Sequence, residues 1–275
     1  MIPGIHVSTA GGIYNAPIQL KKLNLLSGQI FTANQRRWLN QDISESTTRK
    51  FLEAAEGLVI ISHSSYLINF ASANPEVVEK SYVAFIDELQ RCKKLGIKYL
   101  VMHPGAHQKA GLEVGIEKIS QALNHLLPQV AGAPKLLLEN TAGAGTTIGR
   151  RLEELAAIRD SSIVPEQIGY CIDTAHAYSA GYKITDIASV DLFVKEIDKI
   201  LGVANVNAWH LNDSKVDFDS RRDRHEHFGE GTIGIEGLKA LFYSPEFSDI
   251  PGVAETPGTD PERAEDIRKL QTDIK

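Results

Sequence analysis

The chain has 275 residues, 43% of them hydrophobic, and can bury a substantial core. That length suits one eight-fold βα barrel of about 250 residues better than two smaller domains. A formal charge of −6 argues against a nucleic-acid binder that works through a basic surface. That objection lapses if cations bind, because three dications against four carboxylate ligands would leave about +2 locally. No uninterrupted apolar run approaches the roughly 18 residues of a membrane span. Cys92 and Cys171 form no CxxC pair and read as small buried hydrophobes.

The chain opens on a strand, Ile2-Pro-Gly-Ile-His6-Val-Ser, without a basic and apolar leader, so a soluble cytoplasmic protein is expected. Further apolar runs begin near Gly28, Leu58, Ile97, Lys135, Ile168, Val206 and Gly252. Their spacing of about 26 to 45 residues leaves room for a helix and two loops after each strand. The runs are near-continuously apolar, as parallel strands covered on both faces require. One helix opens at Asn74-Pro75, carries the stripe Val78, Tyr82, Phe85, Ile86 and Leu89, and ends with Gly96 as C-cap. Asp186 opens another, with Ile187, Val190, Val194, Ile197 and Leu201, which stops at Gly202. Asp260-Pro261 opens the last and carries the chain to Lys275. No linker or tandem motif interrupts this order, so residues 1–275 are expected to form a single α/β domain, a (β/α)8 TIM barrel.

Acidic and imidazole residues stand at the trailing ends of these runs. They are His63 in LVIISHS, His103 in IKYLVMHPG, Glu139 in KLLLENT, Asp173 and His176 in GYCIDTAH, His210 in VNAWHLND, Asp223 and His225 in DRH, and Glu255 in GVAET. Barrel strands deliver their trailing residues to one face, so such a series converges on one site. Glu139 follows three leucines, where a lone charge would cost several kcal/mol unless paired or metal-bound. Asp223 and His225 are two apart and share a side in an extended loop. Five imidazoles and four carboxylates exceed the three or four protein ligands of one zinc, which points to two or three metals and metal-assisted hydrolysis.

His6 ends the first strand and is a candidate hydrogen-bond partner behind the ligands. His125 reads as a helix-surface residue, and His107 and His227 as loop residues outside the metal set. The segment GEGTIG, Gly229 to Gly234, lacks the Lys-Ser/Thr of a phosphate-binding loop and reads as a turn that positions DRH. Arg36-Arg37-Trp38 could be a solvated turn or a DNA contact, and Tyr66-Leu67 core packing or a wedge.

The strings HSSYLINFA, HPGAH, LLLENTAG, CIDTAHAYSAGY, WHLNDSK, DRHEHFGEGTIG and AETP, in this order, resemble the endonuclease IV family of metal-dependent apurinic/apyrimidinic endonucleases. The resemblance runs from His6 to Pro257. It implies a xylose-isomerase-like barrel with its active site at the C-terminal strand ends and three zinc ions, one site tolerating manganese. His63, His103 and Glu139 would hold the first metal, with Glu139 as the catalytic bridging ligand. Asp173, His210 and Glu255 would complete the second, and His176, Asp223 and His225 the third. Arg36, Tyr66 and Leu67 match residues that enter DNA at a lesion. The implied reaction on double-stranded DNA is hydrolysis 5′ to an abasic site, leaving a 3′-hydroxyl and a 5′-deoxyribose phosphate, with 3′-phosphodiesterase or 3′-phosphatase activity alongside. A monomer is expected, and no membrane association.

Three positions depart from the family pattern: Ala175 stands for cysteine, Phe70 for a smaller aliphatic residue, and Asp219 for glycine. None is a candidate ligand. A metal-dependent sugar isomerase or epimerase on the same scaffold is the alternative reading, and a non-catalytic lesion binder a third.

Overall fold

The computed structural model describes residues 1–38 and 40–272. Eight parallel strands close into a barrel: β1 (Ile2–His6), β2 (Ser27–Ile30), β3 (Val59–His63), β4 (Tyr99–Met102), β5 (Lys135–Glu139), β6 (Ile168–Asp173), β7 (Val206–Leu211) and β8 (Pro251–Ala254). Each pairs with its sequence neighbours, and β8 closes on β1 in the register Ile2↔Pro251 to Ile5↔Ala254. Nine α-helices are described: α1 (Asn15–Lys22), α2 (Glu45–Ala55), α3 (Pro75–Lys94), α4 (Leu112–Leu126), α5 (Leu152–Asp160), α6 (Thr174–Ala180), α7 (Ile187–Leu201), α8 (Ile235–Phe242) and α9 (Asp260–Gln271). Among the described residues no helix is long and apolar enough to cross a membrane.

The helix signals are realised with shifts that have local causes. In α3 the Asn74 side chain accepts from the Glu76 backbone N–H, and Gly96, at φ +67°, follows the helix in the left-handed conformation glycine favours. Its buried face centres on Ser81, Phe85, Glu88, Leu89 and Cys92, while Val78, Tyr82 and Ile86 are half-buried at the flank. Asp186 and Ser189 form a reciprocal cap at the start of α7, where the expected core residue Ile187 is exposed. The last helix opens at Asp260 as expected and is capped by Thr259, whose N–H and hydroxyl both donate to Glu262. It is described to Gln271, and the expected continuation through 273–275 lies outside the described residues.

The strand interior sets the position of the site. Ile61, Val101, Leu137, Cys171, Ala208 and Val253 form a closed apolar layer inside the barrel, one from each of β3 to β8. Two residues further along each chain stand His63, His103, Glu139, Asp173, His210 and Glu255. Side chains alternate faces along a strand, so a residue two beyond an inward one also faces inward. The apolar layer is therefore the floor, and the acids and imidazoles form the next layer up, at the C-terminal mouth. Cys171 is part of that floor and Cys92 lies in the surrounding core, both buried and unpaired in disulfides.

Candidate metal centre

The Glu139 carboxylate is sealed at the middle of the layer, with 1% of its side chain exposed. Its Oε2 lies 3.0 Å from His63 Nε2 and 3.0 Å from His103 Nε2. Its Oε1 lies 2.9 Å from His210 Nδ1 and 3.4 Å from His176 Nδ1. His210 Nδ1 is also 3.2 Å from Glu255 Oε2 and 4.0 Å from Asp173 Oδ2. On the far side of Asp173, His176 Nε2 approaches Asp223 Oδ2 at 3.2 Å, and His225 Nε2 approaches Asp223 Oδ1 at 3.3 Å and Asp173 Oδ2 at 3.7 Å. Three ligand sets result: His63, His103, Glu139; Glu139, Asp173, His210, Glu255; and Asp173, His176, His225 with Asp223 beside it. Glu139 belongs to two of them and so does Asp173.

Local structure explains how residues not on strands reach this layer. Asp173 is the N-cap of α6, and its Oδ1 accepts from the His176 backbone N–H at 2.7 Å, so the turn into the helix swings His176 over the site. His225 lies in a two-residue antiparallel ladder, Asp213↔Glu226 and Ser214↔His225, which was not expected from sequence. The same ladder fixes the Gly-rich segment. Asp213 is fully buried and accepts from the N–H groups of Gly229, Gly231, Ile233 and Gly234. The loop thus cradles a carboxylate of its own chain rather than a phosphate. A Cβ on Gly231 would meet the Ser214 carbonyl oxygen at 2.4 Å, so glycine is required there.

The outer hydrogen bonds decide which imidazole nitrogen faces inward. His63 Nδ1 donates to the Ser64 carbonyl at 2.8 Å, His176 Nδ1 to that of Asn140 at 3.0 Å, and His225 Nδ1 to that of Glu255 at 3.4 Å. Carbonyl oxygens only accept, so in each neutral ring the inward Nε2 carries a lone pair. In the neutral rings these lone pairs face carboxylate oxygens at about 3 Å, an arrangement that calls for a cation between them, either a proton or a metal ion. His225 Nε2 is buried without a hydrogen-bond partner. A tetrahedral zinc with bonds near 2.0–2.1 Å sets its ligands roughly 3.3 Å apart, the scale seen here, and mixed nitrogen and carboxylate donors suit it. The residues fit zinc.

Burial alone would lower the His225 pKa, but the Asp173 and Asp223 carboxylates outweigh it and push the ring up to about 8. Burial alone would raise the Glu139 carboxyl, and His210 and His103 outweigh that in turn, holding it well below the usual carboxylate range. A zinc ion held there would have to displace a proton from His225. Zinc affinity is expected to fall as pH drops below about 8, by roughly tenfold per unit for each displaced proton. For the metal-free chain the sign reverses. Its raised His225 pKa contributes stability that is fully present below the ordinary value of 6.5 and is lost as pH rises through about 8. Chelator competition and melting, each across pH 6–9, measure the two trends, and a flat zinc profile would remove His225 from the ligand set.

The rim is open where the floor is closed. Asp173 and His210 have no exposed side-chain surface, whereas His103 is 31% and Asp223 49% exposed, so substrate must arrive on that side. Tyr66 stands at the mouth, 58% exposed, with its ring 5.1 Å from that of His63 and 5.7 Å from that of His103. Leu67 beside it is half-buried, and Arg36 is exposed. The two loops are laced together: the Tyr66 N–H donates to Gln35 Oε1 at 3.3 Å, and the Ser65 hydroxyl to the Gln35 carbonyl at 3.4 Å. Beneath them, buried Glu88 of α3 accepts from the Thr32 hydroxyl at 2.8 Å and the Ser65 N–H at 3.1 Å. Burial pushes its carboxyl up to about 7.

His6 Nδ1 lies 3.1 Å from Gln29 Nε2 and 3.5 Å from Glu255 Oε1, beside the ligands. His125 is exposed on α4, His107 accepts from the Gly111 N–H, and His227 pairs with buried Asp266 at 2.7 Å. Asp219 has φ +53°, which explains the preference for glycine there, and its carboxylate bonds Arg150 at 2.9 Å. Phe70 packs between Tyr82 and Phe85, and Ala175 is buried on α6. Sequence reasoning missed the amides that bind the candidate ligands. Asn140 Oδ1 accepts from the Asp173 N–H, Asn212 Nδ2 donates to Asp173 Oδ2 at 2.6 Å, and Gln29 contacts His210 and Glu255. Asn140 directly follows Glu139, and Asn212 lies two beyond His210, which was the available signal.

The family model for AP endonuclease family 2, described as a xylose isomerase-like TIM barrel, matches residues 19–272. A protein of Chloroflexus aurantiacus designated "Probable endonuclease 4" is 42% identical over 258 residues, covering 92% of this chain and 90% of its own. The crystal structure of endonuclease IV from Thermus thermophilus is similar with a TM-score of 0.86 at 36% identity, covering 98% of both chains. A D-tagatose 3-epimerase-like protein shares the fold at a TM-score of 0.76 and 19% identity, covering 98% of this chain and 96% of its own. At that identity the likeness is one of fold alone, as expected for a scaffold that hosts several chemistries.

Proposed function

The chain belongs to the endonuclease IV family and is a nuclease of the hydrolase class, and on that premise we propose that it incises DNA 5′ to abasic sites, leaving a 3′-hydroxyl and a 5′-deoxyribose phosphate. The observation that carries this reading is Glu139, whose two oxygens serve opposite nitrogen sets in a sealed layer. His63, His103 and Glu139 would hold one zinc, Glu139 with Asp173, His210 and Glu255 the second, and His176, Asp223 and His225 the third. Asp173 also stands within reach of the third. Manganese at one site is compatible with the carboxylate share. When bound, the ions supply Lewis acidity that neutralises charge on a phosphodiester and lowers the pKa of water towards neutrality.

The remaining steps belong to the chain. Arg36, Tyr66 and Leu67 enter the base stack, where inserted side chains fill the gap and offset part of the bending cost. An abasic nucleotide has no base to unpair or unstack, so extruding it costs less than extruding a normal one, and that difference selects the lesion. The closed floor and the Tyr66 ring keep bulk water from the inner ligands, while the His103 and Asp223 rim admits the phosphodiester. A 3′-phosphate or 3′-phosphodiester presents the same bond and is processed by the same centre. We place the protein in the cytoplasm as a monomeric, single-domain repair enzyme.

Purified protein is expected to hold two to three zinc ions per chain, since the candidate ligands are shared at about three or four per metal. It is expected to cut a duplex bearing one abasic analogue, and to lose that activity to a strong chelator. Active protein with one metal or fewer would sink the trinuclear reading. A sugar isomerase on this scaffold would retain one or two metals and leave the duplex intact.

A further inference from the structure

Seven of the eight barrel strands end at or beside a titratable residue of the site, and β2 ends on none. It supplies Gln29 instead, fully buried and level with His6 of β1 in the sheet register. We propose that Gln29 is a positioning residue that selects the ligating nitrogen of His210 and aims the Glu255 carboxylate, so that the second metal depends on a strand contributing no ligand. The proposal rests on the metal-centre reading of the site.

The amide orientation is forced by its partners. Gln29 Nε2 lies 2.6 Å from Glu255 Oε1, an acceptor-only atom, so the NH₂ group must face that way. Its second hydrogen reaches His6 Nδ1 at 3.1 Å. Gln29 Oε1 is thereby left facing His210 Nε2 at 2.7 Å, and a carbonyl oxygen can only accept there. The His210 proton consequently sits on Nε2, and the Nδ1 lone pair turns towards Glu139 Oε1, Glu255 Oε2 and Asp173 Oδ2. At His63, His176 and His225 a backbone carbonyl makes this selection, with Nδ1 outward. His210 alone among these four is turned the other way and relies on a side chain. The same amide occupies Glu255 Oε1, leaving Oε2 for the metal. Partners behind metal ligands of this kind are worth about 10- to 100-fold in metal affinity.

Gln29→Met keeps length and volume and removes every hydrogen bond. Gln29→Glu keeps an acceptor for His210 but opposes a second carboxylate to Glu255. Zinc content and chelator-competition affinity are read alongside melting and incision. Both variants are expected to lose the second zinc, with the affinity of that site down about 10- to 100-fold and kcat reduced more than KM. The other zinc ions should stay. A folded Gln29→Met protein with the parent's zinc affinity overturns the proposal. If Gln29→Met does not fold, the Gln29→Glu affinity decides alone, on the same criterion. A parent protein that holds no zinc fails the metal-centre reading itself, a separable outcome.

Discussion

Glu139→Gln is expected to cut incision by about a thousandfold or more while leaving abasic-duplex binding nearly intact. The substitution is close to isosteric, so the effect is chemical. One carboxylate oxygen lies 3.0 Å from both His63 Nε2 and His103 Nε2, and the other 2.9 Å from His210 Nδ1. An amide offers only one acceptor oxygen, and its NH₂ would point at nitrogens whose lone pairs are meant for a metal. It also removes the one negative charge common to two ligand sets. Metal-ion catalysis supplies several kcal/mol of transition-state stabilisation, and each decade of rate corresponds to about 1.4 kcal/mol. Losing two adjoining metals therefore costs at least about three decades. Lesion binding should persist, because Arg36 and Tyr66 lie on other loops. Single-turnover incision, duplex binding and zinc content, measured on one preparation, make the test. Near-normal turnover would mean that Glu139 does not bridge, and the site would have to be redrawn.

The barrel and the layer of candidate ligands were legible because the strand period of two carries the apolar inner layer directly into the layer of acids and imidazoles. Leu137 and Glu139, or Val101 and His103, form a pattern visible in the residues themselves, and a charge set directly after buried aliphatics must find a counter-charge or a metal. The departures share a cause, which is tertiary contact. Gln29 is an uncharged residue in a short strand, and nothing local reports that β7 and β8 will bring His210 and Glu255 to it. Glu88 lies on the buried face of α3, where its oxygens accept from Thr32 and Ser65 of two loops, and Val78, Tyr82 and Ile86 stand at the flank. The ladder that holds His225 includes Asp213, which gathers four N–H groups of the glycine-rich loop. A sequence window sees the glycines but not the carboxylate they wrap. Asp219 departs from the family pattern in sequence, but its bond to Arg150 joins residues far apart in the chain.

Arg36→Ala and Tyr66→Ala are each expected to weaken binding to abasic duplex by about tenfold to a hundredfold, because replacing lost base stacking is worth roughly 1–3 kcal/mol per side chain. A core tyrosine would behave differently, lowering the melting temperature and sparing affinity. The exposure of Tyr66, 58%, argues for the first outcome, since little of its apolar surface would be newly lost from the core. Its ring does cover His63 and His103, so a severalfold change in turnover is compatible with the proposal, but metal content should not move. The Gln35 bonds to Ser65 and Tyr66 tie the Arg36 loop to the Tyr66 loop, so the two residues are not independent probes. The double variant should therefore fall short of the product of the single effects. Affinities for abasic and undamaged duplexes, zinc content and melting temperature together separate the readings. A Tyr66→Ala protein that melts lower yet binds the lesion as tightly as the parent would assign this tyrosine to packing and leave lesion recognition to Arg36 and Leu67.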